Sequence, residues 1–86
     1  MKKRVMIQFT RADLRAKYSD FIGCPIFLAM QRAGVPVHSV RAMYWQDLYY
    51  LHYFSKKLQR ASDSISEGRT KHLVGKKFQV TWEVEG

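Results

Sequence analysis

Arg41, Trp45, Tyr50, His52, Lys56, Lys57 and Arg60 crowd two kinds of side chain into one stretch of sequence. Lysine and arginine neutralise phosphates, and flat rings offer faces on which unpaired bases stack at about 1–3 kcal/mol each. Cations interleaved with aromatics are the composition of a surface for single-stranded nucleic acid. The same rings could instead be covered by a second protein layer, and Met43, Leu48 and Phe54 nearby favour that alternative.

A second basic group is Lys2, Lys3, Arg4, Arg11, Arg15 and Lys17, in which Arg11 and Arg15 would sit one helical turn apart and face the same way. Such a group is either a solvated face or a phosphate-contacting patch. A third, Arg69, Lys71, Lys76 and Lys77, falls in a loop, with Glu67, Glu83 and Glu85 close by in sequence to dilute its field. The net charge is +8 on 86 residues, and it is unevenly spread. Up to Arg60 there are eleven Lys/Arg against three Asp/Glu, whereas from Ala61 on four basic residues meet four acidic ones. Charge of one sign opposes compaction, so it points to solubility or a polyanionic partner rather than to folding.

Catalytic chemistry finds little to work with. Cys24 precedes Pro25 at a helix start, where a thiol is acidified, but a nucleophile also needs a positioned base and oxyanion donors. No histidine stands near it in sequence, and a buried, inert cysteine is expected. His38, His52 and His72 share no metal-ligand spacing, and one cysteine makes neither a zinc site nor a disulfide framework. The carboxylates are scattered and the glycines match no phosphate-binding motif. The expectation is a protein that is not an enzyme, with no metal and no cofactor.

The elements that must position these residues follow from pattern. Arg4–Phe9 alternates as a strand with one buried face. Thr10 and Asp13 have the spacing of a capping box and open a short helix over Arg11–Tyr18. Cys24–Ala33 reads as a second helix, with Pro25 in its first turn and Gly34 past its end. Val37–Trp45 and Leu48–Phe54 read as a hairpin turning at Gln46-Asp47, which pairs Trp45 with Leu48 and Arg41 with His52. On this register Arg41, Trp45, Tyr50 and His52 share the open face. Val40, Ala42, Tyr44, Tyr49, Leu51 and Tyr53 should then pack on the helices. A rival is one long helix from Asp47 to Glu67, against which four aromatics in six residues count. Ser55 caps a helix running to Glu67, Gly68 ends it, and Phe78–Val84 alternates as a closing strand.

The sum is an α+β domain over residues 1–86, β-α-α-β-β-α-β, with helices on one face of an antiparallel or mixed sheet. Twelve aromatic residues and 47% hydrophobic residues are too many for a disordered chain. No secretory leader is recognisable, because the apolar run Val5–Ile7 stops at Gln8, and no stretch approaches a membrane span. With its lone cysteine, the chain is expected to be cytoplasmic.

The order of elements, with Thr10-Arg11-Ala12-Asp13 after a strand and the helix Cys24-Pro25-Ile26-Phe27-Leu28-Ala29-Met30-Gln31-Arg32-Ala33-Gly34, resembles a set of small uncharacterised phage and prophage proteins. Leu58–Gly68 and Phe78–Val84 fall where those chains have a Gly-terminated helix and a closing aromatic strand. The resemblance implies this fold and a mobile-element origin, and carries no activity.

The expectation is therefore a small basic binding module. Its partner would be nucleic acid, held non-specifically by phosphate neutralisation and ring stacking. The alternative is a protein partner, either a host factor or a second copy docked on the aromatic hairpin. A membrane is not expected.

Overall fold

Alternation at the two ends of the sequence becomes a two-stranded antiparallel ladder. The computed structural model describes residues 1–15, 24–41 and 43–84. In chain order its elements are β1 (Lys2–Gln8), α1 (Arg11–Arg15), α2 (Pro25–Arg32), β2 (Ser39–Val40), β3 (Tyr44–Gln46), β4 (Leu51–Tyr53), α3 (Lys56–Ser66), a 3-10 turn (Lys71–Leu73) and β5 (Lys77–Glu83). β1 pairs with β5, setting Val5 opposite Val80 and Ile7 opposite Phe78. Directly paired residues share a face. Ile7, Phe78, Val80 and Trp82 are accordingly buried, while Lys2, Arg4, Met6, Gln79 and Lys77 face out.

The caps form as their residue types require. Thr10 N–H donates to Asp13 Oδ2 (2.9 Å) and Asp13 N–H donates to Thr10 Oγ1 (3.2 Å), a reciprocal pair that starts α1. α2 begins at Pro25, where a missing N–H leaves no bond unmade. It ends because Gly34 adopts a φ of 86°, which lets Val35 N–H reach back to Met30 O (3.0 Å). Gly68, at φ 77°, ends α3 in the same way, and Ser55 Oγ accepts from Leu58 N–H (3.2 Å) at its start. The expected continuation of the first helix to Tyr18, with Lys17, lies outside the described residues.

Arg32, at the end of α2, ties three segments together. Its guanidinium donates to Asp13 Oδ1 (2.8 Å) and Oδ2 (2.7 Å) and to Gln8 O (2.7 Å). Asp13 is 3% exposed, and burial alone would push its carboxyl up. The Arg32 fork and the Thr10 N–H outweigh that and hold it below the usual carboxylate range.

The middle of the chain departs from expectation in three ways. First, the strands form two antiparallel sheets, β1-β5 and β2-β3-β4, rather than one. Second, the strand expected over Val37–Trp45 breaks after Val40. Arg41 N–H donates to Tyr44 O (2.8 Å), which turns the chain and lays Val40 opposite Trp45. Third, the hairpin does not turn at Gln46-Asp47. The Asp47 carboxylate accepts from Tyr49 N–H (2.7 Å) and Tyr50 N–H (2.6 Å), shaping a turn over Asp47–Tyr50 that pairs Trp45 with His52. The rival long helix does not form, and α3 starts only at Lys56.

These turns reverse the hairpin's faces. Trp45 is buried at 2% exposure, stacked on His52 (centroids 4.2 Å apart) and edge-on to Trp82 (6.1 Å). Of the face expected to pack on the helices, Val40 is buried as expected, whereas Tyr49, Leu51 and Tyr53 are exposed. Trp45 against Trp82 closes the two sheets over a core that includes Phe9, Ile26, Met30, Val40, Leu58 and Leu73.

Candidate functional site

α3 turns Leu58 and Ala61 into the core, so Lys57, Arg60 and Ser64 fall together on its flank. The loop that follows is bent back along that flank. Leu73 N–H closes the 3-10 turn onto Thr70 O (2.9 Å) and Leu73 is buried as its anchor. Gly75, at φ 80°, then reverses the chain into β5, where an L side chain would be strained. Lys76 and Lys77 come to stand across from Lys57 and Arg60.

The result is a groove of about 500 Å³ whose rim carries Lys57, Arg60, His72, Lys76 and Lys77 and whose floor holds Ala61, Leu73 and Phe78. On the other side of the 3-10 turn lies a second groove of about 510 Å³. Arg11, Arg15 and Lys71 line it, with Leu14, Thr70 and Val74. The expectation that Arg11 and Arg15 face one way is met there. The 3-10 turn separates the grooves and contributes Lys71 to one and His72 to the other. Among the described residues, no carboxylate lines either groove.

Of the acidic residues expected to dilute this region, one does so within the loop group and one stands apart from it. Glu67 is paired with the Arg69 guanidinium. Glu83 sits at the far end of β5, about 20 Å from Lys77 at the rise of an extended strand. Glu85 lies outside the described residues.

The seven residues expected to form one nucleic-acid surface are separated by the fold. Lys57 and Arg60 enter the first groove. Lys56 is exposed at the start of α3 and Arg41 is exposed at the turn after β2. Trp45 offers no face for a base, because its ring is covered by His52 and Trp82. Tyr50 is exposed on the hairpin turn, edge-on to Tyr49. His52 is half-buried, with Nε2 2.9 Å from Asp47 Oδ2. Burial would raise the Asp47 carboxyl, but His52 and the Tyr49 and Tyr50 amides hold it below its ordinary value.

The second expected group is also divided. Arg11 and Arg15 line a groove, whereas Lys2 and Arg4 lie outward on β1 and Lys3 is exposed opposite Trp82. Sequence reasoning gave the loop cations Lys71, Lys76 and Lys77 little weight and His72 none. A basic loop between two glycines was the available signal. What it lacked was the tertiary placement of that loop beside α3.

Cys24 is buried at the start of α2, and burial raises its thiol despite the opposing Phe27 and Ile26 amides. Among the described residues, no three His, Cys, Asp or Glu side chains converge as a metal site would need. Among them, too, no helix is long and apolar enough to cross a membrane. No family model, curated protein or solved structure matches this chain.

Proposed function

We propose that this protein is a binding module for nucleic acid, which lies across the 3-10 turn and presents successive phosphates to the two basic grooves. The observation that carries this reading is the composition of the groove walls. Lys57, Arg60, Lys76 and Lys77 on one side and Arg11, Arg15 and Lys71 on the other meet no carboxylate among the described residues lining either groove. Seven cations around one turn repel one another, and a polyanion relieves that repulsion.

The mechanism is phosphate neutralisation with counterion release. It has no chemical step and no sequence readout, since lysines and arginines directed at phosphates position a nucleic acid without reading it. Stacking takes no part in it. The groove floors hold Leu73 and Phe78, both buried, and the exposed rings belong to the hairpin. Duplex is therefore bound at least as well as single strand.

The test is a double variant, Lys57→Gln with Lys76→Gln, measured by anisotropy on a labelled duplex as salt is varied. Each lost phosphate contact reduces the slope of log affinity against log salt by about 0.9. A fall of about 1.8 is expected, against no change for Lys2→Gln with Arg4→Gln on the outer face of β1. Equal effects from both pairs would refute the assignment to these grooves.

A further inference from the structure

The hairpin carries a separate surface. Leu48, Tyr49, Tyr50, Leu51 and Tyr53 are all exposed, the last at 75%. Isolated exposed apolar residues are ordinary, but a contiguous run of them on one hairpin marks a contact surface.

The backbone of two of these residues, Leu51 and Tyr53, also points away from its ladder partner. Phe54 N–H donates to Met43 O (3.1 Å) and Asp47 N–H to Tyr50 O (3.0 Å). In an antiparallel ladder residues alternate between bonding their neighbour and facing away, so Leu51 and Tyr53 direct N–H and C=O away from β3. β4 is the edge strand of its sheet, and among the described residues no further strand takes up those groups. On β5 the bond from Val84 N–H to Met1 O (2.7 Å) sets the same alternation, and it leaves Gln79, Thr81 and Glu83 facing away from β1.

These two free edges meet. Leu51 and Tyr53 share a cavity of about 590 Å³ with Thr81 and Glu83. Tyr53 shares a smaller one with Gln79 and Thr81. The gap between the sheets is thus bordered on both sides by amides without a ladder partner.

Charge selects the occupant. Lys2 lines the channel, Arg4 stands beside Thr81 on the same outer face, and Lys56 follows Tyr53 by three positions. Glu83 is the one carboxylate in the larger cavity, and it lies directly across the ladder from Lys2. A second copy would bring another +8 to this surface, whereas an acidic strand complements it. We propose that the channel between β4 and β5 takes up an extended, acidic segment of a partner protein, which pairs with the free edge of β4 as an added strand. Main-chain bonds to Leu51 and Tyr53 supply affinity, and alternate side chains of the segment meet Lys2 and the exposed tyrosines.

The probe is a short blocked peptide alternating glutamate with valine, titrated against the intact protein by tryptophan fluorescence, since Trp82 lines the channel. Binding in the micromolar to low millimolar range is expected. Methylating the peptide's alternate amide nitrogens leaves its charge intact and should weaken binding about tenfold or more, because it removes the main-chain donors. Leu51→Pro should do the same, with an unchanged far-ultraviolet circular dichroism spectrum and unchanged duplex affinity, because the lost N–H belongs to the free edge. A lysine-for-glutamate peptide should not bind. Equal binding by the methylated peptide, displacement of the peptide by duplex, or absence of binding at millimolar concentration would overturn the proposal. So would a sedimenting dimer that Leu51→Pro dissociates, which would make the occupant a second copy.

Discussion

Replacing Trp45 with alanine separates a ring that binds from a ring that packs. Trp45 is 2% exposed, lies over His52 at 4.2 Å and meets Trp82 edge-on at 6.1 Å, bridging the two sheets. Truncating a core tryptophan to alanine removes about 3–5 kcal/mol. A domain of this length is stable by only about 4–13 kcal/mol, so the loss takes about a quarter of the total or more. At about 4–8 °C per kcal/mol, the midpoint of thermal unfolding should fall by at least about 12 °C. Unfolding in urea, followed by far-ultraviolet circular dichroism, measures the loss without relying on tryptophan emission. Duplex affinity per folded molecule should stay within about twofold of the parent, because no groove cation is touched. The exposed Tyr53→Ala should change stability by less than about 0.5 kcal/mol. A Trp45→Ala protein that loses under about 1 kcal/mol yet binds oligonucleotide more weakly would refute the packing argument.

Other perturbations address the polar contacts. The folded Asp13 carboxyl lies below its unfolded value, so its contribution to stability is present above about pH 4 and is lost as pH falls through the folded value. Arg32→Met should cost about 2 kcal/mol near neutral pH by leaving a buried carboxylate without its fork. Burial then raises Asp13 instead, so the deficit should shrink in acid, which urea titrations at pH 7 and pH 3 would show. Asp47→Ala should cost about 1 kcal/mol and speed hydrogen exchange at the Tyr49 and Tyr50 amides, which its carboxylate accepts. Native Cys24 should resist iodoacetamide near neutral pH and react at the rate of unfolding, because burial both shields the thiol and raises it. Stoichiometric labelling of the folded protein would contradict that.

Local chemistry was legible where the residues that act are neighbours in sequence. Thr10 with Asp13, Ser55 before Lys56, and Gly34 and Gly68 past their helices each cap their element by short-range bonds, and the α+β class followed from them. The alternation Phe78, Val80, Trp82 likewise settled which face of β5 is buried.

The hairpin was less legible. The turn at Arg41–Tyr44 contains no glycine, proline or asparagine, so nothing in composition marks it. The next turn rests on one carboxylate reaching two and three residues ahead, which displaces the reversal past Gln46-Asp47. Alternation held within β3 and β4, where Trp45 shares a face with His52, but it set Val40 on the face opposite Trp45 and did not say which face is inward. Periodicity is silent on that when both faces carry rings. Of the basic grooves only parts were legible, the common facing of Arg11 and Arg15 and a basic loop between two glycines, because α3 and the segment around Lys76 meet only in the folded chain.

The most direct test of nucleic-acid binding at the grooves is anisotropy of matched labelled duplex and single-stranded oligonucleotides with the unaltered protein, at about 50 and about 200 mM salt. If six or seven groove cations contact phosphates, duplex affinity should fall by about 2,000- to 6,000-fold over that range, with no preference for the single strand. Absence of duplex binding at the lower salt, or binding that salt leaves unchanged, would contradict it.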